Sequence, residues 1–384
     1  MHILFTRFPL ESVLGGAEIQ TLSLMEGLIT RGHAVSFAGS CPILLKECAR
    51  RGIPVHRCDI GEPPVTKSGV ISFLWRKKKM REQLETMMRE IPVPDAVCML
   101  SLSEKLLLTE LIANRNTQYP IPNTQYLPVF WIEHDPIGRW LTLNPWLPRL
   151  RTCSTMATTI VVSNLSRDQY LRLGWDPDRT IAIPNGIDGN RLGDPFPHTR
   201  TSQNEPLRLG CIARLSQEKG IDVLLRAIRQ LPPHITLRIA GSGRQERALR
   251  RLTDTLGLQD RVTFLLPESD IRGLYEQFDA FMLPSRTHDP FGLTVAEAMT
   301  LGLPVIVTDA CGIAGSLDGS EALIVPAGSV EALRDGILRL TEPDTYNHLA
   351  RNVSVTAREK FSLERMVQSY ENVFTNISLH PSPA

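Results

Sequence analysis

Short β-branched runs alternate with amphipathic helical stretches along almost the whole chain, and no other feature limits its fold so tightly. HILFT, near the start, reads as a buried strand. AEIQTLSLMEGLITRGH follows, with Ile19, Leu22, Met25 and Ile29 at the spacing of a helix with one apolar face. AVSFAG, PVHRCDI, DAVCML, VFWIEH, TIVVS and TIAIP read as further strands, with helical segments between most of them. A parallel neighbour needs a long crossover, so this alternation predicts parallel sheets with helices on both faces.

The pattern breaks near residue 189. GNRLGDPFPHTRTSQNEP is rich in Gly, Pro, Asn and Ser, lacks apolar periodicity, and reads as a linker. The alternation then restarts: LRLGCIA, a helix from Gly220, ITLRIAG, a helix through Ala248 and Leu252, VTFLL, AFMLP, PVIVTD and ALIVPA. The expectation is an α/β chain of two Rossmann-like, doubly wound parallel-sheet domains facing a cleft. Residues 1–189 form the first and 190–360 the second, and a cleft between two such sheet edges suits a nucleotide on one side and an acceptor on the other. Residues 361–384 form a helix crossing back to the first. Ligands in such sheets bind beyond the C-terminal strand ends.

Composition narrows the function. Hydrophobic residues make up 42% and charged residues 22%, the balance of a globular protein. A net charge of +1 gives no global pull toward nucleic acid. No apolar run reaches the roughly 20 residues of a membrane span, and the apolar run of MHILFTRFPL is too short for a signal peptide, with no cationic stretch before it. The seven cysteines are odd in number and form no CxxC, so buried free thiols in a reducing cytoplasm are expected.

Three stretches are candidates for holding phosphate. In GCIARLSQEKGIDVLLRAI, a strand ends near Ala213 and a helix begins near Gly220, with Arg214 and Lys219 flanking the turn. Helix starts leave N–H groups free and carry partial positive charge, so a fork and a point charge there could hold a diphosphate. Two solvated surface cations are the alternative, and spacing alone does not choose. Gly15 and Gly16, between the first strand and its helix, would let backbone approach a ligand; an ordinary loop pair reads the same way. AGSGRQER has Glu246 where a dinucleotide fingerprint needs its third glycine, which excludes that reading.

GGAE, EHD at 133–135, IPNGID at 183–188, ARLSQEKGID at 213–222, AGSG at 240–243 and DPFGLTVAEAMTLGLPVIVTD at 289–309 occur in the order found in one family. The chain resembles the GT-B-fold retaining glycosyltransferases of family 4 (glycosyl transferases group 1) type. The resemblance implies that Arg214 and Lys219 bind the donor diphosphate and stabilise the leaving group, with Gly15, Gly16, Leu293 and Thr294 approaching the phosphates. It implies that Asp289, Phe291 and Gly292 serve the donor sugar, Glu297 both ribose hydroxyls, and His134 the reacting sugar. The base would lie near Gly241, Leu265 and Leu266. The family motif opens with Glu where this chain has Asp289, one methylene shorter, and often has Gly where this chain has Leu266.

The implied chemistry is metal-independent transfer of a hexosyl-type sugar from a nucleotide sugar, UDP before GDP, with no cofactor beyond that co-substrate. Acceptors implied are a sugar, a lipid-linked sugar or a small molecule, in glycolipid, polysaccharide or glycosylated-metabolite synthesis. Asp176-Pro177-Asp178 could pass for a metal-binding Asp-x-Asp but reads as a turn. The rival readings are a nucleotide-sugar epimerase or phosphorylase of the same fold, a non-catalytic sugar-nucleotide-binding protein, and a glycosidase using Asp289 and Glu297. Finally, FLWRKKKMREQLETMMREI places Phe73, Met80, Leu84, Met87 and Ile91 on one helical face. Trp75, Arg76, Lys77, Lys78, Lys79 and Arg81 cluster at its start. That cluster suits an anionic membrane, an acidic acceptor or plain solvent.

Overall fold

The computed structural model describes residues 1–9, 15–118, 127–265 and 270–379. The chain divides into two compact units. Unit 1 comprises Met1–Val162, Ser166–Ile183 and the C-terminal residues from Met366; unit 2 comprises Ser163–Leu165 and Pro184–Arg365.

Unit 1 holds β1 (His2–Arg7), β2 (Ala34–Gly39), β3 (Val55–Arg57), β4 (Ala96–Met99), β5 (Val129–Glu133), β6 (Thr158–Val161) and β7 (Thr180–Ala182). They form one parallel sheet in the order β3-β2-β1-β4-β5-β6-β7. Unit 2 holds β8 (Leu207–Ile212), β9 (Ile235–Ala240), β10 (Val262–Leu265), β11 (Ala280–Leu283), β12 (Val305–Thr308) and β13 (Leu323–Val325). Its parallel order is β10-β9-β8-β11-β12-β13. Every strand read from the sequence is present. Strands covered on both faces must be apolar at consecutive positions, as Ile3, Leu4 and Phe5 are, all fully buried. Each order reverses once, between β1 and β4 and between β8 and β11, and such switch points are where ligands enter doubly wound sheets.

Each unit has its own core. In unit 1, Leu4, Val97, Met99, Trp131 and Val161 of the sheet pack with Phe73, Met80, Leu84 and Met87 of the helix Lys67–Glu90. That helix starts on Thr66, whose hydroxyl accepts from Gly69 N at 2.9 Å, and stops before Pro92, which disfavours helix at the preceding residue. In unit 2, Leu209, Ile239, Met282 and Ile306 pack with Leu224, Ile228, Leu249 and Ile337. All seven cysteines are free, six of them buried and Cys58 half-buried.

Two expectations need correction. The helix Gly16–Thr30 turns Glu18, Thr21, Leu22, Met25 and Leu28 inward, so Ile29, one residue past that stripe, is 41% exposed. The stretch 189–206 is fastened to unit 2 and does not behave as a linker. Asp188 caps a short helix, Gly189–Leu192, and Phe196 N bonds Leu301 O at 2.8 Å. The buried Arg200 donates to the carbonyls of Pro206, Ser202 and Glu205. Polar composition concealed an irregular segment whose backbone groups are satisfied by side chains.

The last helix, Leu363–Leu379, belongs to unit 1 from Met366 on, with Phe374 against Phe130 at 4.7 Å. Its Glu371 pairs with Arg31 at 2.7 Å and His33 at 2.9 Å. Among the described residues no helix is long and apolar enough to cross a membrane.

Candidate active site

The candidate residues of unit 2 gather at the C-terminal strand ends beside the β8/β11 switch point. After β8 the chain passes exposed Arg214 and makes a 3-10 turn, Gln217–Lys219. Gly220 follows in the left-handed region, φ 66°, and starts the helix Ile221–Arg229 with no side-chain cap. A Cβ on Gly220 would sit 2.1 Å from Pro284 O, so the turn presses directly on the end of β11. The two segments are tied further. Arg286 N donates to Glu218 O at 2.7 Å, and the Arg286 guanidinium pairs with Asp222 at 2.6 Å. Lys219 Nζ meets Asp289 Oδ2 at 2.5 Å, and Ser285 Oγ donates to the same oxygen at 2.9 Å.

The stretch HDPFGLTVAEAM builds the second helix start. Gly292, φ 98°, precedes the helix Leu293–Thr300, again with no side-chain cap. A Cβ there would lie 2.5 Å from Cys311 Sγ. Leu293 and Thr294 are its first two residues, whose N–H groups have no acceptor within the helix. Phe291 is buried, edge-on to Phe361 at 5.6 Å, so only its backbone can serve a ligand. Glu297 lies on the second turn. Tyr275 Oη donates to Glu297 Oε2 at 2.9 Å, and Arg191 stands 3.6 Å from Oε1. Burial pushes the Glu297 carboxyl above the usual range, with Tyr275 and Arg191 pulling the other way.

The residues assigned to the base lie one strand over. Gly241 follows β9, and its missing Cβ would lie 2.0 Å from Ala213 O, where β8 and β9 run on together. Leu265 ends the edge strand β10. Leu266 lies outside the described residues. Glu246 begins the helix Glu246–Thr255 and pairs with Arg250 at 3.0 Å.

In unit 1, β1 ends at Arg7, which pairs with Glu18 at 2.6 Å. The other oxygen of Glu18 accepts from Gly15 N at 3.1 Å, closing the start of the helix Gly16–Thr30. His134 follows β5. Burial, helped by the nearby cations Arg7 and Lys105, pushes its imidazole down to about 3 and keeps it neutral. Its neighbour Glu133 is ion-paired with Lys105 at 2.8 Å, both nearly buried. Asp176 caps a 3-10 turn by accepting from Asp178 N at 2.9 Å, so the Asp-Pro-Asp is a turn.

The basic cluster is sorted by the helix Lys67–Glu90. Arg76 turns back to the carbonyls of Ile60 and Glu62, Lys77 lies over Trp146 at 5.9 Å, and Arg81 pairs with Glu85 at 3.2 Å. Lys78, Lys79 and Trp75 face solvent, Trp75 at 86% exposure. Sequence reading missed Tyr275, Ser285, Arg191, Arg7, Glu18 and Lys105. Only Glu18, at capping-box distance from Gly15, and Ser285, four residues before Asp289, had a local signal. Tyr275 and Arg191 come together with Glu297 only through the fold.

Comparison with known proteins gives the family. A family model described as glycosyl transferases group 1 matches residues 197–359, and one described as glycosyltransferase family 4 matches 14–191. A putative colanic acid biosynthesis glycosyltransferase WcaL of Salmonella typhimurium is 31% identical over 212 residues, 52% of this chain and 50% of that protein. A GDP-mannose-dependent alpha-(1-6)-phosphatidylinositol monomannoside mannosyltransferase of Mycolicibacterium smegmatis is 29% identical over 195 residues, 46% of this chain and 50% of that one. The chain thus spans about half the length of most curated relatives it matches. Among solved structures, Anabaena Alr3699/HepE in complex with UDP and glucose superposes with a TM-score of 0.75 at 21% identity, covering 98% of this chain and 100% of that one, a likeness of fold. With two adjoining family models over most of its length and two parallel-sheet α/β units, the chain belongs to the group 1, family 4 type glycosyltransferases of GT-B fold.

Proposed function

We propose that the chain transfers a hexosyl-type sugar from a nucleoside-diphosphate sugar to an acceptor hydroxyl, retaining configuration at the anomeric carbon and using no metal. The observation that carries this is the pair of helix starts at Gly220 and Gly292, uncapped by side chains, beside one switch point, with Lys219 between them and Glu297 one turn down. Breaking the sugar–phosphate bond puts positive charge on the anomeric carbon and negative charge on the leaving diphosphate. Fixed donors aimed at that anion lower the barrier. Lys219, Arg214 and the amides of Leu293 and Thr294 are such donors. Glu297 as a carboxylate accepts from both ribose hydroxyls. The acceptor attacks on the face the diphosphate leaves, and the departing phosphate takes its proton. His134, held neutral, would hydrogen-bond a sugar hydroxyl. The UDP complex of HepE favours a UDP-sugar, and the mannosyltransferase makes GDP the next choice.

A screen of nucleotide sugars by thermal shift and hydrolysis identifies the donor. Arg214→Ala with Lys219→Ala should abolish transfer in EDTA; full activity of that double variant would refute the electrostatic account. Wild-type transfer lost in EDTA and restored by a divalent ion would refute metal independence.

The acceptor end carries a second reading. Ile71, Leu74 and Trp75 are 62%, 62% and 86% exposed and recur at i, i+3 and i+4 along one helix. Leu143, 73% exposed, sits in a segment fastened to that helix by Trp146 on Phe73 and to the residues just before it by Asn144 on Pro64 O. Between residues 67 and 81 the helix carries Lys67, Arg76, Lys77, Lys78, Lys79 and Arg81 and no acid. Apolar tips among the solvent-facing Lys67, Lys78 and Lys79 fit an anionic bilayer surface, each of these lysines contributing about 1 kcal/mol. The proposal is a cytoplasmic enzyme resting on the membrane's inner face, with a lipid-linked sugar as acceptor. Co-flotation with phosphatidylglycerol vesicles but not phosphatidylcholine vesicles, lost in Leu74→Ala/Trp75→Ala, is the expected result; equal binding of that variant would overturn it.

A further inference from the structure

We infer that Asp289 is a positioning residue that fixes the Lys219 ammonium, and that the shorter acid of this chain spends its carboxylate on the lysine rather than on a donor sugar. The inference rests on the proposed role of Lys219 toward a diphosphate.

Asp289 is rigid before its side chain is considered. Its N–H donates to Ala310 O at 2.9 Å, and its carbonyl accepts from Gly312 N at 2.9 Å, forming an isolated parallel bridge with Cys311. The side chain is 8% exposed. Its Oδ2 takes Lys219 Nζ at 2.5 Å and Ser285 Oγ at 2.9 Å, so this oxygen is filled by two donors, one of them charged. Ser285 is itself fully buried, and its carbonyl accepts from Thr308 Oγ1 at 2.6 Å.

Lys219 is held from the other side. Glu218 O bonds Arg286 N, Arg286 pairs with Asp222, and Gly220 lies against Pro284. The backbone on both sides of the pair is thereby fixed, and the remaining freedom is the lysine's four-carbon stem. Asp289 removes it. An ammonium has three donors, so after this contact two remain for phosphate oxygens. A glutamate on the same backbone would carry its carboxylate one methylene past the ammonium. The departure from the family's usual residue therefore sits where reach changes the partner.

Binding of free UDP and GDP, which carry a diphosphate and no sugar, separates the two roles. Calorimetry on Asp289→Asn should show the better-bound free diphosphate weakened by more than about 10-fold, with its UDP- or GDP-sugar weakened by the same factor. In a Lys219→Met background the Asn substitution should cause no further loss. Unchanged affinity for the free diphosphate, with loss confined to the sugar-bearing nucleotide, would overturn the inference in favour of a sugar contact. A second readout needs no nucleotide. Reductive methylation of Lys219, followed by mass spectrometry, should be several-fold faster in Asp289→Asn and in the milder Ser285→Ala; equal rates in both would also overturn it. Were the wild type to bind no nucleotide at all, the proposed function would fall while the labelling still decided this pair. Ser285→Ala carries both readouts if Asp289→Asn does not fold.

Discussion

Helices start on glycine in both units, and the two kinds of start differ in chemistry. In unit 2, Gly220 and Gly292 hold left-handed backbone at φ 66° and 98°, and no side chain caps either helix. In unit 1, Gly15 has extended backbone, φ −131°, and its N–H is already taken by Glu18, whose second oxygen is held by Arg7. A helix start offers its dipole and free amides to an anion only if no side chain of the protein already accepts from them. In unit 2 the first-turn Asp222 is paired with Arg286, and no side chain accepts from the starting amides of either helix. Unit 1 supplies its own anion and balances it with its own cation. The glycines of unit 2 are needed for backbone conformation and close packing; Gly15 holds extended backbone that any residue can adopt.

The largest effect should come from forcing a side chain on a left-handed start. In Gly220→Ala the new Cβ meets Pro284 O at 2.1 Å in a backbone conformation that alanine disfavours. Strain of this kind costs of order 1–3 kcal/mol, and overpacking adds a comparable amount. The expected result is a clearly lowered melting temperature together with loss of nucleoside-diphosphate binding by calorimetry. A variant that melts and binds like the wild type would remove the distinction between the two units.

Next comes Glu297. Losing a carboxylate that accepts two hydroxyls should cost about 1.5–3 kcal/mol of nucleotide affinity, so Glu297→Ala should bind a nucleoside diphosphate markedly more weakly. Unchanged affinity would sink the ribose assignment. The pH dependence sharpens the point. Burial raises the folded-state pKa of Glu297, so its contribution to stability is present below the unfolded value and is lost as pH rises through the raised one. Ligand binding runs the opposite way, because only the carboxylate accepts from both hydroxyls. Affinity should fall as pH drops from neutral into the raised range, and Glu297→Gln should flatten that profile. A profile equally steep in the Gln variant would assign the titration to another group.

The sheets were readable because a parallel strand buried on both faces leaves a continuous apolar run, as HILFT and PVIVTD do. The helix starts at Gly220 and Gly292, with Lys219 before one and Glu297 on the second turn of the other, were readable because turn chemistry and helix period are local; the roles of Lys219 and Glu297 came only from the family resemblance. What escaped was set by tertiary contact. Tyr275 reaches Glu297 across 22 positions, and Lys219 reaches Asp289 across 70. No spacing rule connects such pairs. The segment 189–206 was misread because its order comes from Arg200 and Asp188 bonding backbone groups rather than from apolar periodicity. Ile29 was placed inward because apolar spacing does not say that Glu18 and Thr21 share the buried stripe.

The smaller effects on nucleotide affinity belong to unit 1. Glu18→Ala removes the carboxylate that closes the Gly15 amide and leaves Arg7, nearly buried, without its partner. Loss of a cap costs about 1 kcal/mol and an unpaired, nearly buried cation about 3 kcal/mol more, so a clear fall in melting temperature is expected, with nucleotide affinity little changed. A large loss of affinity would mean that the Arg7–Glu18 pair shapes a ligand contact. Gly15→Ala should do least of all. Alanine adopts φ −131° without strain, and the cost should stay within about 0.5 kcal/mol, the range of ordinary surface substitutions. Because backbone strain is absent, this variant isolates close approach. If Gly15→Ala folds normally and still abolishes binding of a diphosphate nucleotide, a ligand must pass within a methyl's width of Gly15, and the self-capped start of unit 1 would be a ligand contact after all.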